Sequence, residues 1–156
     1  MIFSKKKFYK DLSGNSLAYF VKNDYPVLKK DKNNLIKCSL EKKKDIRICF
    51  HKDKKSKLHI MLNCLSKKKF YNPHLHKSKD EFYNLISGKL KILIVNKKNE
   101  ILKKIILSEN HKFFFLRKNL LHYTIPLTKD CTFIEARCGP YDSNDTVFYK
   151  NLKKLR

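Results

Sequence analysis

PHLHKSKDEFYNLISG, running from Pro73 to Gly88, is the stretch on which the fold of this chain turns. His74 and His76 stand two residues apart, so on a strand both side chains leave the same face. A polar turn, KSKD, follows, and Glu81 opens the next run, EFYNLIS. Two imidazoles and a carboxylate from neighbouring strands can meet at one point inside a closed β structure. His122, in the later run LLHYTIPL, can complete the set. Three neutral imidazoles and one carboxylate suit a borderline divalent ion: Fe, Mn, Ni, Co or Zn. Six-coordination would leave two positions for water or substrate. The plainer alternative is a scaffold without metal, in which the same histidines serve as acid or base.

Outward from this stretch, short runs rich in Ile, Val, Phe and Tyr recur between polar turns such as KDKKSK, NKKNE, SENHK and LTKD. That spacing predicts strands near 45–51, 58–65, 69–76, 81–87, 89–95, 100–107, 112–117, 121–127 and 131–138. So many strands in so short a chain favour a barrel or jelly roll, which leaves few open edges. Residues 1–44 lack strong alternation and read as an N-terminal arm. Within it Leu17, Phe20 and Val21 suggest a short helix, capped by Ser13 or Asn15 and ended by Pro26. The barrel spans 45–142, and 143–156 reads as an irregular tail.

The chain has 156 residues, which suits one domain with a single core. Its 42% hydrophobic content excludes a wholly disordered basic tail. No apolar stretch is long enough for a signal peptide or a membrane span; FFFL, Phe113 to Leu116, is typical of the runs present. The formal net charge of +23 comes from 37 basic and 14 acidic residues, but only Arg47, Arg117, Arg137 and Arg156 are arginines. Lysines scattered along the whole chain give solubility and non-specific attraction, not a nucleic-acid reading surface. Five cysteines, Cys38, Cys49, Cys64, Cys131 and Cys138, show no CxxC pair. They read as reduced, mostly core residues of a cytoplasmic protein.

The spacing His74, His76, Glu81, Gly88 resembles the first cupin motif. LRKNLLHYTIP resembles the second, with His122 in the histidine position, Arg117 where Pro is usual and Asn119 where Gly is usual. Asn tolerates a left-handed turn, so that replacement is acceptable. Lys68 stands where the first motif opens with Gly. RICFH (Arg47 to His51), IMLNCL, YNPHLH and FIEARCGPYD (Phe133 to Asp142) together resemble the WbuC-type cupin metalloproteins, over about Asp45 to Asp142. This resemblance implies an all-β, cupin-type jelly-roll barrel with a short, weakly structured or helical N-terminal arm. It also implies a divalent metal held by His74, His76, Glu81 and His122, a homodimer, and a place in surface-polysaccharide (O-antigen type) metabolism.

Strand parity groups further candidates. Arg47, Cys49 and His51 share a face, which is either the lining of the cup or a polar outer surface. Glu135 and Arg137 share another; either they form a buried ion pair or Glu135 orients a ligand or a metal-binding histidine. Tyr83 and Leu85 share the face of Glu81 and should line the pocket. Arg47, His51, Tyr83 and Glu135 are the candidate substrate contacts, and His51, Tyr83 and Glu135 the candidate catalytic bases. His59 and His111 read as surface residues. Leu90, Ile92 and Ile94 read as core or dimer contact.

Three function classes follow. The first is a metal-binding cupin acting on or binding a sugar or sugar-nucleotide, as a metal-dependent isomerase, epimerase or dioxygenase. The second is a non-catalytic module that binds a small ligand. The third, an RNA- or membrane-associated protein, has only the charge in its favour.

Overall fold

The computed structural model describes residues 3–11, 16–23, 25–66 and 71–150. Among these the chain is all-β apart from one helix, and its strands form two sheets of a jelly roll. The first sheet runs in the order β1 (Phe8–Asp11), β2 (Leu17–Val21), β3 (Ile46–Cys49), β4 (Leu58–Cys64), β11 (Thr132–Cys138), β6 (Glu81–Ser87) and β9 (Phe113–Leu116). The second runs β12 (Thr146–Phe148), β5 (His74–His76), β10 (His122–Pro126), β7 (Leu90–Val95) and β8 (Ile101–Leu107). All described pairings are antiparallel except β2 with β3, where Leu17 faces Ile46. From Ile46 to Cys138 the strands fall near the expected ranges, with β5 shorter than expected at His74–His76.

Alternation also divides the two faces of the first sheet. Ile46, Ile48, Leu62 and Cys64 point outward, and there helix α1 (Lys29–Lys42) covers them with Leu35 and Cys38. Arg47, Cys49, His59, Met61 and Asn63 point inward and line a cup between the sheets. Deeper in, Tyr83, Leu85, Leu90, Ile92, Ile94, Leu107, Leu116 and Phe133 form the inter-sheet core. The stripe Leu90, Ile92, Ile94 is therefore core.

Two expectations for the chain ends are corrected. Leu17, Phe20 and Val21 lie on a strand, not a helix, because LAYFV pairs with β1 on one side and β3 on the other. Sheet hydrogen bonds on both edges outweigh a weak helical spacing. The N-terminal helix lies instead at Lys29–Lys42, after Pro26. Its buried face is Asp31, Leu35, Cys38 and Ser39, a spacing of four, three and one. Asp31 closes its start by accepting from the Leu28 N–H at 2.9 Å. Lys43, in the left-handed conformation at φ 51°, closes its end. The expected caps Ser13 and Asn15, and Lys68, lie outside the described residues. The tail is not irregular throughout: β12 pairs with β5, Thr146 opposite His76 and Phe148 opposite His74.

Asn119 adopts φ 63°, the left-handed turn expected of it in place of Gly. Gly88 has φ 78°, and a Cβ there would meet Thr128 Oγ1 at 2.2 Å and Cys131 Cα at 2.9 Å. Glycine is thus required at the end of β6 both by backbone angle and by space. No described helix is long and apolar enough to cross a membrane.

Leu35 is fully buried between α1 and the sheet, whereas Leu40 on the same helix is 48% exposed. Leu35→Ala should lower the unfolding free energy in urea by about 2–5 kcal/mol, and Leu40→Ala by less than about 0.5 kcal/mol. Cys38, Cys49, Cys64 and Cys131 are buried and Cys138 is exposed. Burial pushes the Cys64 thiol up to about 11 and the Cys49 thiol up to about 12. A thiol reagent should therefore modify Cys138 alone in the folded protein, and the other four only on unfolding.

Candidate functional site

β5 and β10 pair with His122 directly opposite His74, and β11 and β6 pair with Arg137 directly opposite Glu81. The two sheets face each other here, so these residues meet at the floor of the cup. His76 Nε2 lies 3.0 Å from Glu81 Oε1, and His122 Nε2 lies 3.3 Å from Glu81 Oε2. The His74 ring stands 4.3 Å from that of His122 and 5.4 Å from that of His76, centroid to centroid. His76, Glu81 and His122 are almost wholly buried.

Surrounding groups set the tautomers. A backbone carbonyl only accepts, so His122, whose Nδ1 is 2.9 Å from Leu120 O, carries its proton on Nδ1. Asp145 Oδ2, 3.2 Å from His76 Nδ1, does the same for His76. Asp145 is itself held by the Ser78 N–H at 2.8 Å and the Ser78 hydroxyl at 2.6 Å. Burial pushes its carboxyl up, but the Ser78 hydrogen bonds outweigh this and hold it below the usual range. With Nδ1 of each ring committed to an acceptor, Nε2 of each is the atom that faces the Glu81 carboxylate.

Tyr83 donates to Glu81 Oε2 at 2.9 Å. Burial pushes Glu81 up, yet the His122 and His76 imidazoles beside it outweigh this and hold its carboxyl well below the usual range. Burial, then His122, pushes His74 down to about 3, so that ring is neutral. A carboxylate buried this far must be met by a cation or by hydrogen-bond donors.

Donor chemistry here fits a first-row divalent ion. Two ligands at right angles, each about 2.1 Å from one ion, are about 3.0 Å apart, close to the two separations at Glu81. His122 Nε2 and His74 Nδ1 are buried without a hydrogen-bond partner of good geometry. Such orphaned acceptors are what an ion would satisfy. As the side chains stand, however, no three His, Cys, Asp or Glu among the described residues close around an ion. Arg137 Nη1 lies 3.1 Å from His76 Nε2 and 3.6 Å from Glu81 Oε1, so a guanidinium already covers one side of the centre.

Above the floor opens a cavity of about 570 Å³. Arg47 and His51 both line it, which settles their face in favour of the cup. The Arg47 side chain reaches Met61 Sδ at 3.5 Å, while its Nε is buried without a partner. Glu135 accepts from Asn63 Nδ2 at 3.2 Å and sits 3.8 Å from Arg137. Burial raises the Glu135 carboxyl, against the pull of Arg137. Tyr83 is held far above the ordinary phenol range by burial and Glu81, so it acts as a neutral donor that orients Glu81.

His59 is corrected: it is not a surface residue but 4% exposed, because β4 points its odd-numbered residues inward, opposite Arg137. Its ring stacks on His51 at 4.1 Å. His111 is exposed, as expected. Asp145 was not foreseen; it sits in the tail, and only the β12–β5 pairing brings it to His76.

A family model described as a domain of unknown function (DUF6016) matches residues 37–107, under half of the chain. No curated protein matches. Among solved structures, an oxalate decarboxylase from Bacillus subtilis is 20% identical with a TM-score of 0.47, over 59% of this chain and 24% of its own. A 3,4-ketoisomerase from Helicobacter canadensis is 16% identical with a TM-score of 0.48, over 59% and 67%. QdtA, a sugar 3,4-ketoisomerase from Thermoanaerobacterium thermosaccharolyticum in complex with TDP, is 17% identical with a TM-score of 0.48, over 59% and 65%. The chain thus matches about a quarter of the decarboxylase and about two thirds of each isomerase. These are similarities of architecture.

Burial, then the stacked His59, pushes His51 down to about 4. Between that value and the ordinary imidazole value near 6.5 the unfolded chain binds a proton that the folded chain does not. Acidification through this window should therefore destabilise the fold. Urea midpoints measured from pH 7 to pH 4 should fall, and His51→Gln should flatten the fall.

Proposed function

We propose that this chain is a metal-binding cupin protein that binds or acts on a sugar or nucleotide sugar, in the chemistry of surface polysaccharides. The observation that carries the metal reading is the tautomer lock. Leu120 O and Asp145 engage Nδ1 of His122 and His76 and so turn Nε2 of both rings toward one buried carboxylate, and His122 Nε2 has no hydrogen-bond partner. His74, His76, Glu81 and His122 would be the ligands, Asp145 and Tyr83 the residues that orient them. A bound ion would supply Lewis-acid polarisation of a carbonyl or hydroxyl pair. The cup above offers Arg47 and Arg137 to an anionic group, and Glu135 and Asn63 to hydroxyls. Its size suits a small polar ligand. Glu135 and His51 are the candidate bases, for neither is committed to the His–Glu cluster.

A second reading, a small-ligand module without metal, has Arg137 in its favour. The guanidinium can serve as a cation that meets Glu81. Elemental analysis after purification without chelators, followed by Co²⁺ titration, separates the two. The metal reading expects about one equivalent per chain and its near-complete loss in His76→Ala, with the far-UV β spectrum retained. Full occupancy in His76→Ala, or none in the wild type after loading, rejects it. Asp145→Ala should weaken metal affinity about 10–100-fold by freeing the His76 ring. Calorimetry of the loaded protein against nucleotide sugars then tests the ligand class.

A further inference from the structure

We propose that Arg137 is a resident cation that competes with a divalent ion for the His76 lone pair, so that it must withdraw into the cup before the ion can bind. This rests on the metal reading above. A neutral imidazole has one ring lone pair, and His76 Nδ1 is committed to Asp145 and Thr146, at 3.2 and 3.1 Å. Only Nε2 is left, and Arg137 Nη1 takes it at 3.1 Å. One lone pair serves one partner.

Arg137 is placed there by the backbone. β11 sets it directly across from Glu81, and Glu135 two residues earlier shares its face. Its contact is one-sided: it reaches His76 and Glu81 Oε1, while His122 Nε2 stays unpartnered. The centre is therefore half satisfied, with an uncommitted lone pair at His122 and a guanidinium at His76.

Withdrawal is open to Arg137 and closed to the others. Its side chain is 15% exposed, against 3% for Glu81 and His76. It borders the cavity, and Glu135 Oε1, 3.8 Å away, remains a carboxylate partner after it leaves His76. The predicted consequence is an affinity for divalent ions held down by the protein's own side chain. An anionic ligand that draws Arg137 into the cup would raise that affinity, and by linkage the ion would raise affinity for the anion.

Co²⁺ binding to the full chain, read by calorimetry and by visible d–d absorption, tests this. Arg137→Met should bind Co²⁺ about tenfold or more tighter than the wild type, the scale of one hydrogen bond to a charged group. Arg137→Lys, which keeps the charge but not the planar fork, should also gain. Arg47→Met removes an equal charge from the same cup without touching His76, and should change affinity less than about threefold. The gain should vanish in Arg137→Met combined with His76→Ala. Equal affinity in wild type and both Arg137 variants overturns the competition while leaving the metal reading intact. A gain in Arg47→Met as large as in Arg137→Met also overturns it, since the effect would then be one of net charge. Absence of Co²⁺ binding in every variant rejects the metal reading and this proposal together. Far-UV spectra check folding, and Arg137→Lys carries the comparison if Arg137→Met does not fold.

Discussion

A carboxylate that is almost wholly buried is the constraint around which this molecule is arranged. Glu81 opens β6 and faces inward, where it cannot be solvated and cannot remain alone. Each neighbouring element supplies one answer to that charge. β5 brings His76, β10 brings His122, β11 brings Arg137, and β6 itself turns back the Tyr83 hydroxyl. The sheet registers matter here because a slip of one residue on any of these strands would carry its side chain to the opposite face.

The same constraint explains the part played by the chain ends. β12 closes the edge of the second sheet beside β5, and that pairing seats Asp145 on His76. At the other end, β1 and β2 extend the first sheet beside β3, and α1 covers its outer side, so that β3 and β4 can be buried on both faces. Their inward residues are then free to be polar: Arg47, His59 and Asn63 face the cup while Ile46, Ile48 and Leu62 anchor the helix. A polar cup within a small domain is stable only if the apolar area is buried elsewhere, and α1 and the N-terminal aromatics supply that area.

Electrostatics within the cup separates by depth. At the floor, the imidazoles beside Glu81 hold its carboxyl well below the usual range against the push of burial, whereas burial, then His122, pushes His74 down to about 3. One layer up, burial raises Glu135 while Arg137 opposes the shift. Elsewhere in the lining, His51 stacks on the buried His59, and burial pushes both imidazoles down. The lysines responsible for most of the net charge of +23 are spread along the chain, and the basic residues that line the cup are Arg47, Arg137 and Lys54.

The positions of most strands, the shared face of His74 and His76 and the tolerance of Asn119 for a left-handed turn were legible in the residues, because alternation and turn chemistry are local properties. The convergence of Glu81 with two histidines followed from the same alternation once a closed β structure was assumed. The β2 strand, the true position of the helix, the inward face of His59 and the contact of Asp145 with His76 were not legible. LAYFV becomes a strand because it has partners on both edges, and partners are not written in five residues. His59 is buried because of which strand lies beside β4, although its own neighbours in sequence include lysines. Arg137 reaches His76 because β11 and β6 align it with Glu81 in one sheet and β5, in the facing sheet, brings His76 up to them. The sequence by itself determined which side chains each strand can turn to one side. Only the tertiary structure decided which of those sides meet, since that depends on pairings between segments tens of residues apart.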